Sequence, residues 1–185
     1  MKYAVIAASW LLLSSGCINL EAPPDPTRYF LMNGPDWSES EGGFAVEVEA
    51  VTMEPYLASP RMVVRLSGTE VRFSDIHRWA EPLDENIQSV LSGYLAVSSI
   101  GTVSNRALHE KRLVVRVHVS QFEGQLPDGA TLGASWSIED ATGNTLVRRR
   151  SEYTVSGWDG ADYEQLTRLL ESTLASLAGE IAASI

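Results

Sequence analysis

The sequence predicts an α/β (or α+β) domain, a mixed β-sheet flanked by helices, on three observations. Several short segments alternate apolar and polar residues with a period of two. Two longer segments carry one-sided apolar stripes at helical spacing. The two kinds are interspersed along the chain, so helices cover a sheet rather than pack only on one another.

Residues 29–32 read as a short first strand. A loop rich in Gly, Ser, Glu and Asp follows over 33–43. Phe44, Val46, Val48 and Ala50 then share one face of a strand, with Glu47 and Glu49 opposite. Met62, Val64 and Leu66 alternate with Val63 and Arg65. Ser67-Gly68 turns the chain into Val71 and Phe73, which alternate with Glu70 and Arg72. Leu113, Val115, Val117 and Val119 form the next apolar face. Leu132, Ala134, Trp136 and Ile138 form another, and a turn over 140–144 leads to a partner strand over 145–155. The first helix starts at Glu81-Pro82, proline being tolerated in a first turn. Its stripe is Leu83, Ile87, Val90, Leu91, Tyr94 and Leu95. The second starts near Asp162, with Gln165 placed as a capping-box partner. Its stripe is Leu166, Leu169, Leu170, Leu174, Leu177 and Ile181.

The first residues have a different character. Lys2 and an apolar run over 4–13 precede Ser14, Ser15, Gly16 and Cys17. The run suits a signal-peptide core and is well short of the ~20 residues that span a bilayer. Small residues let the backbone lie extended in a peptidase groove, and a thiol after the cut can carry a diacylglycerol. The stretch resembles the lipobox of bacterial lipoproteins, with Ser14 standing where the pattern has leucine. The expected cut lies between Gly16 and Cys17, with Cys17 lipidated. The alternative is an ordinary secretory signal with an incidental cysteine. Cys17 is the chain's single cysteine, so no disulfide forms within it. Residues 1–16 are then a signal peptide, and 17–27 a tether containing Pro23, Pro24 and Pro26. Residues 28–185 are one domain, at a size typical of single domains.

The formal charge is −10, and loss of residues 1–16, with one lysine and no acid, makes it −11. That acidity argues against nucleic acid as a partner. It also argues against a basic-patch grip on anionic lipid, leaving attachment to the acyl chains. There is no phosphate-binding glycine loop, no HExxH and no GxSxG elbow. His77, His109 and His118 have no metal-ligand spacing. Arg148, Arg149 and Arg150 divide between two faces of one strand and read as solvated or salt-bridged. Nothing nominates a catalytic residue, a cofactor or a metal.

Several segments in order resemble the auxiliary lipoprotein component of ABC-type transporters. They are Arg28-Tyr29-Phe30-Leu31, Pro55-Tyr56-Leu57 with Pro60-Arg61-Met62-Val63, Arg78-Trp79-Ala80-Glu81-Pro82-Leu83, Phe122-Glu123-Gly124 and Ala134-Ser135-Trp136. The resemblance implies a three-layer arrangement similar to the anticodon-binding-domain type. It implies an outer-membrane lipoprotein that docks a periplasmic conduit of the MCE class, served by an inner-membrane permease and ATPase, for intermembrane lipid transport. A subunit docking on a ring-shaped conduit can itself form a ring of copies. Two other readings stay open: a lipoprotein that binds a hydrophobic ligand itself, and a structural lipoprotein of an envelope or secretion machine. The candidate partner-binding residues are Arg78, Trp79, Pro82, Tyr56, Leu57 and Arg61. Trp79 either forms part of a contact patch or caps the core beside the helix start. Tyr56 and Leu57 either project toward a partner or lipid, or fold back over the sheet edge.

Replacing Cys17→Ser is expected to abolish acylation and move the protein from the membrane to the soluble periplasmic fraction. Fractionation and mass spectrometry of the N-terminal peptide check this. A variant that stays in the membrane fraction points to an anchor other than Cys17.

Overall fold

A computed structural model describes residues 24–35, 45–97 and 112–185. Gly16, Cys17, Phe44 and His109 lie outside the described residues, as do residues 17–23 of the tether and 36–43 of the loop that follows the first strand. The strands are β1 (Arg28–Phe30), β2 (Ala45–Val48), β3 (Thr52–Met53), β4 (Arg61–Arg65), β5 (Val71–Trp79), β6 (Arg112–Gln125), β7 (Gly129–Asp140) and β8 (Thr145–Val155). The helices are α1 (Leu83–Val97) and α2 (Tyr163–Ala182), and a 3-10 turn, Pro55–Ala58, separates β3 from β4.

Eight strands form one mixed sheet: six follow the order β1-β5-β4-β6-β7-β8, and β2 and β3 each pair with β6 beside this path. The 14-residue β6 organises it. Along one side of β6, in parallel, lie β2 against Arg112 to Val115, β3 against His118 and Val119, and β4 against Gly124 and Gln125. The antiparallel β7 covers the other side, and β8 pairs with β7 as the hairpin expected from its turn. In that turn Asp140 Oδ1 accepts from the Thr142 and Asn144 amides.

Alternation places Leu113, Val115, Val117 and Val119 of β6 on the same face as Leu132, Ala134, Trp136 and Ile138 of β7, and all are buried. Both helices lie over this face and pack on each other, α2 across β6, β7 and β8, and α1 beside β2. Among the described residues the layers are therefore two, a sheet and a helix pair, and the third layer that the resemblance implied is not among them. Across β6, β7 and β8 the opposite face carries Arg116, His118, Ser135, Ser137, Arg148 and Arg150. Arg116 there pairs with Glu49 and Glu139, and Arg112 with Glu47. On the helix side Arg149 lies 3.6 Å from Glu180 and 5.9 Å from the Trp136 ring.

Three local features differ from the sequence expectation. Ala50 is exposed because the chain leaves the β2 alternation after Val48, and Val51 turns into the core instead. The capping box at α2 is half made. Asp162 accepts from Glu164 N and Gln165 N, but its own amide donates to Asp159 rather than to the Gln165 side chain. Between Val63, opposite Phe73, and Arg61, opposite Arg78, β5 holds more residues than β4 can match, so β5 bulges over residues 74–77.

Trp158, fully buried in the connection from β8 to α2, fixes that connection to the sheet. Its Nε1 donates to the Asp162 carbonyl at 2.8 Å, and its ring lies on Gly124 of β6. A Cβ on Gly124 would stand 2.4 Å from Trp158 Cζ3. Gly124→Ala is therefore expected to overpack this contact and destabilise the fold by about 1–3 kcal/mol, read by urea unfolding. An unchanged midpoint would mean the Trp158 contact is loose.

Candidate functional site

The three early segments that carry the resemblance converge at the β1-β5-β4 end of the sheet. The Trp79 amide donates to the Pro60 carbonyl at 2.7 Å, and the Ala80 amide to the Phe30 carbonyl at 2.8 Å. These bonds splice β1, the start of β4 and the end of β5 just before Pro82 opens α1. Together they frame an open cleft of ≈ 360 Å³, lined by Ala58, Ser59, Pro60, Trp79, Ala80, Glu81, Pro82 and Leu83. Its walls are mostly apolar, with the exposed Glu81 at the rim. Such a shallow apolar cleft with one charged edge suits a side chain or turn of another protein better than an enclosed small molecule.

The candidate residues fall into two groups. Trp79 is 5% exposed and packs on Phe122 of β6, with ring centroids 6.0 Å apart, so its body is core and its edge lines the cleft. Leu57 is 1% exposed and belongs to the core. Tyr56 folds back over β6, its hydroxyl donating to the Ser120 carbonyl at 3.2 Å and to Glu123 Oε2 at 3.0 Å. Pro82 is exposed at the cleft, while Arg61 and Arg78 are half-exposed. Arg61 and Arg78 face each other across β4 and β5, and Arg61 lies 4.7 Å from the Phe73 ring centroid. Neither arginine forms an ion pair with a described residue.

Sequence reasoning missed three groups that hold this end together. Glu123 is buried on the sheet face away from the helices, where it takes Arg65 Nε as well as the Tyr56 hydroxyl. Asn86 is buried on the α1 stripe, accepting from the Met32 amide at 3.1 Å and donating to the Met32 carbonyl at 2.9 Å, so α1 is tied to the segment after β1. An asparagine three residues after Leu83 on an apolar stripe is a signal that could have found it. His77, in the β5 bulge, stacks on Tyr163 at the start of α2, 3.7 Å between centroids and 11° between planes, with its Nδ1 2.9 Å from Ser74 Oγ. Burial, with Arg28 beside it, lowers the His77 pKa. Among the described residues no group of three His, Cys, Asp or Glu is arranged to hold a metal ion, and no helix is long and apolar enough to cross a membrane.

Burial, reinforced by the Glu123 charge, pushes the Tyr56 phenol up to about 12. An unfolded tyrosine ionises near pH 10, so below that pH both states keep the proton and this contribution is complete. As pH rises from about 10 towards about 12 the unfolded chain ionises first, and stability falls. Tyr153 is shifted to about 12 as well. Tyr56→Phe is thus expected to cost about 1–3 kcal/mol near neutral pH, by leaving Glu123 short of a donor. It should also lessen, without abolishing, the alkaline loss of stability. Urea titrations on both sides of pH 10 check this, and an alkaline loss as steep as that of the parent would contradict the assignment.

Comparison with known proteins gives a consistent result. Residues 32–182 match the family model described as "ABC-type transport auxiliary lipoprotein component". The chain is 27% identical over 182 residues to the intermembrane transport lipoprotein PqiC of Escherichia coli (strain K12), covering 97% of this chain and 94% of that one, with the same figures for PqiC of Shigella flexneri. A crystal structure of an uncharacterised protein shares the fold with a TM-score of 0.72 at 19% identity, covering 85% of this chain and 97% of the other. A Xanthomonas campestris protein shares it with a TM-score of 0.64 at 15% identity, covering 83% and 89%. With a match running from just after β1 to the end of α2, this chain belongs to the ABC-type transport auxiliary lipoprotein component family.

Proposed function

We propose that this protein is a non-enzymatic docking subunit of an intermembrane lipid transport system, anchored in the outer membrane through a lipidated Cys17 and facing the periplasm. In this role it receives the end of an MCE-class conduit, whose permease and ATPase sit in the inner membrane. The observation that carries the reading is the near full-length similarity to PqiC, an intermembrane transport lipoprotein. The cleft between Pro60, Trp79 and Pro82 supports it, because three segments of the family resemblance meet there around one open surface.

Docking is favoured over carrying lipid inside the domain. The space between sheet and helices is filled by Leu91, Leu132, Trp136, Leu170 and Leu174, all nearly inaccessible to solvent. Within the cleft, Trp79 and Pro82 supply a rigid floor, and Glu81 a charge that sets orientation. Tyr56 and Leu57 act from beneath, holding the 3-10 turn that forms one wall.

The test is affinity purification of the tagged protein from its native host in mild detergent, beside the variant Ala80→Arg, which fills the cleft from an exposed position. An MCE-class protein should accompany the parent and be lost or strongly reduced with Ala80→Arg while membrane association is unchanged. Recovery of no such protein with the parent would contradict the docking role, and equal recovery with both would remove the cleft from it.

A further inference from the structure

The molecule exposes six large hydrophobic side chains among its described residues, and three of them, Tyr29 (65%), Leu31 (44%) and Ile76 (37%), belong to the β1-β5 corner. Tyr29 is in register with Arg78, and Arg78 with Arg61, so the three form one row across β1, β5 and β4 on the sheet face away from the helices. The row spans two strand spacings, about 10 Å. Leu31 follows Tyr29 by two residues on the same side of the chain. Ile76, two residues before Arg78, is exposed in the β5 bulge. Arg28 stands at the same edge but points to the helix side, with its guanidinium 5.3 Å from the Phe30 ring.

The corner does not share the acidity of the whole chain. The chain carries −10 overall, yet Arg61 and Arg78 stand side by side with no carboxylate within ion-pair distance among the described residues. The acids at this end are Asp25, Asp75 and, at the rim of the adjoining cleft, Glu81. The Asp25 carboxyl is taken up by Thr27, accepting from its amide at 2.9 Å and its hydroxyl at 2.6 Å, and the Arg78 charge adds only a smaller influence on it. Much of the excess acid lies elsewhere, on the helix layer at Asp84, Glu85, Asp159, Glu164 and Glu171.

The chain's covalent geometry says what this corner meets. Pro24 lies seven positions after Cys17. Even fully extended, that length of chain reaches about 25 Å. An anchor at Cys17 therefore holds the β1 corner within a short distance of the lipid surface. The arrangement of a tyrosine, two aliphatic side chains and two arginines beside that tether matches what settles at a bilayer interface. Aromatic rings lie at headgroup level, short apolar groups dip beneath it, and arginines pair with phosphates.

We infer that the corner formed by Tyr29, Leu31, Arg61, Ile76 and Arg78 is a membrane-docking surface that rests the domain on a bilayer bearing anionic headgroups, so that the acyl anchor tethers the domain and this corner orients it. The inference rests on the lipid-anchor reading of Cys17. It goes beyond the net charge: total acidity argues against a basic protein, not against a local pair of arginines.

The test uses the full lipidated chain reconstituted in phosphatidylcholine vesicles, with and without phosphatidylglycerol, that contain a lipid-borne fluorescence quencher. Because acylation occupies Cys17, a cysteine introduced by Leu31→Cys is the sole thiol and takes a fluorophore uniquely. Leu146→Cys, also at an exposed position and on the distant β8, is the control. The label at residue 31 should be quenched when phosphatidylglycerol is present and that at 146 should not. Adding Arg61→Gln and Arg78→Gln should lower the docked-to-undocked ratio roughly fivefold per charge removed. Vesicle-bound protein with no quenching at residue 31, or equal quenching at both sites, overturns the proposal while leaving the anchor intact. Shielding of residue 31 only on addition of a purified partner protein, without lipid quenching, also overturns it and assigns the corner to that partner. A Cys17 that carries no lipid by mass spectrometry fails the anchor reading and the proposal together.

Discussion

The hydrogen-bond ladder of β6 is the constraint on which the rest of this structure depends. One strand serves β2, β3 and β4 in turn along one side and β7 along the other. Its alternation must therefore keep an apolar face towards the helices for 14 residues while three separate segments register against it. A bulge between Val119 and Gln121 makes this possible. It shifts the alternation by one residue, so that Phe122 and Gly124 continue the helix-facing side and Glu123 points the other way. Gly124 then leaves room for Trp158, and Phe122 for Trp79. Both the β8–α2 connection and the start of α1 are thereby referenced to the same strand.

The same bulge explains the buried charge. Glu123 emerges on the open face where β4 and the 3-10 turn close over it, and Arg65 and Tyr56 satisfy its two oxygens. A buried carboxylate with both oxygens engaged fixes geometry more than it adds stability. Here the geometry fixed is the position of the 3-10 turn, and so one wall of the cleft at Pro60. Asn86 performs the matching task on the other side, locking α1 to the segment after β1 through both backbone groups of Met32. The cleft and the arginine row thus stand on rigid supports from three elements rather than on free loops.

How far the fold could be read from the sequence depended on whether a segment kept its period. Strands β4, β6 and β7 alternate cleanly at their centres and both helices keep a one-sided stripe, and each is legible from its period; β8 is legible from the turn that precedes it. Readability fails at the bulges. The second half of β5 lacks alternation because residues 74–77 leave the ladder, and the alternation of β6 breaks after Val119 because Ser120 resets its phase. With two residues, β3 is too short to have a period at all. The site was readable only in part for a related reason. Residue types marked Arg78, Trp79 and Pro82, but sequence could not tell that Trp79 turns inward and Arg78 outward, nor that Arg61 would stand opposite Arg78. Summed charge hid the pair of arginines, because clustering is a property of the sheet register and not of composition.

Two surfaces thus meet at one end of the domain: the cleft proposed to receive a conduit, and the corner inferred to rest on lipid. Their adjacency gives the account its central claim, that this end of the sheet, and not the exposed β8 edge, is where the protein works. Site-specific photo-crosslinking in the native host tests it most directly, with a crosslinking side chain placed at residue 80 or at residue 148, both exposed. The account predicts an adduct with an MCE-class protein from residue 80 and none from residue 148. An adduct from residue 148 with none from residue 80 would contradict it.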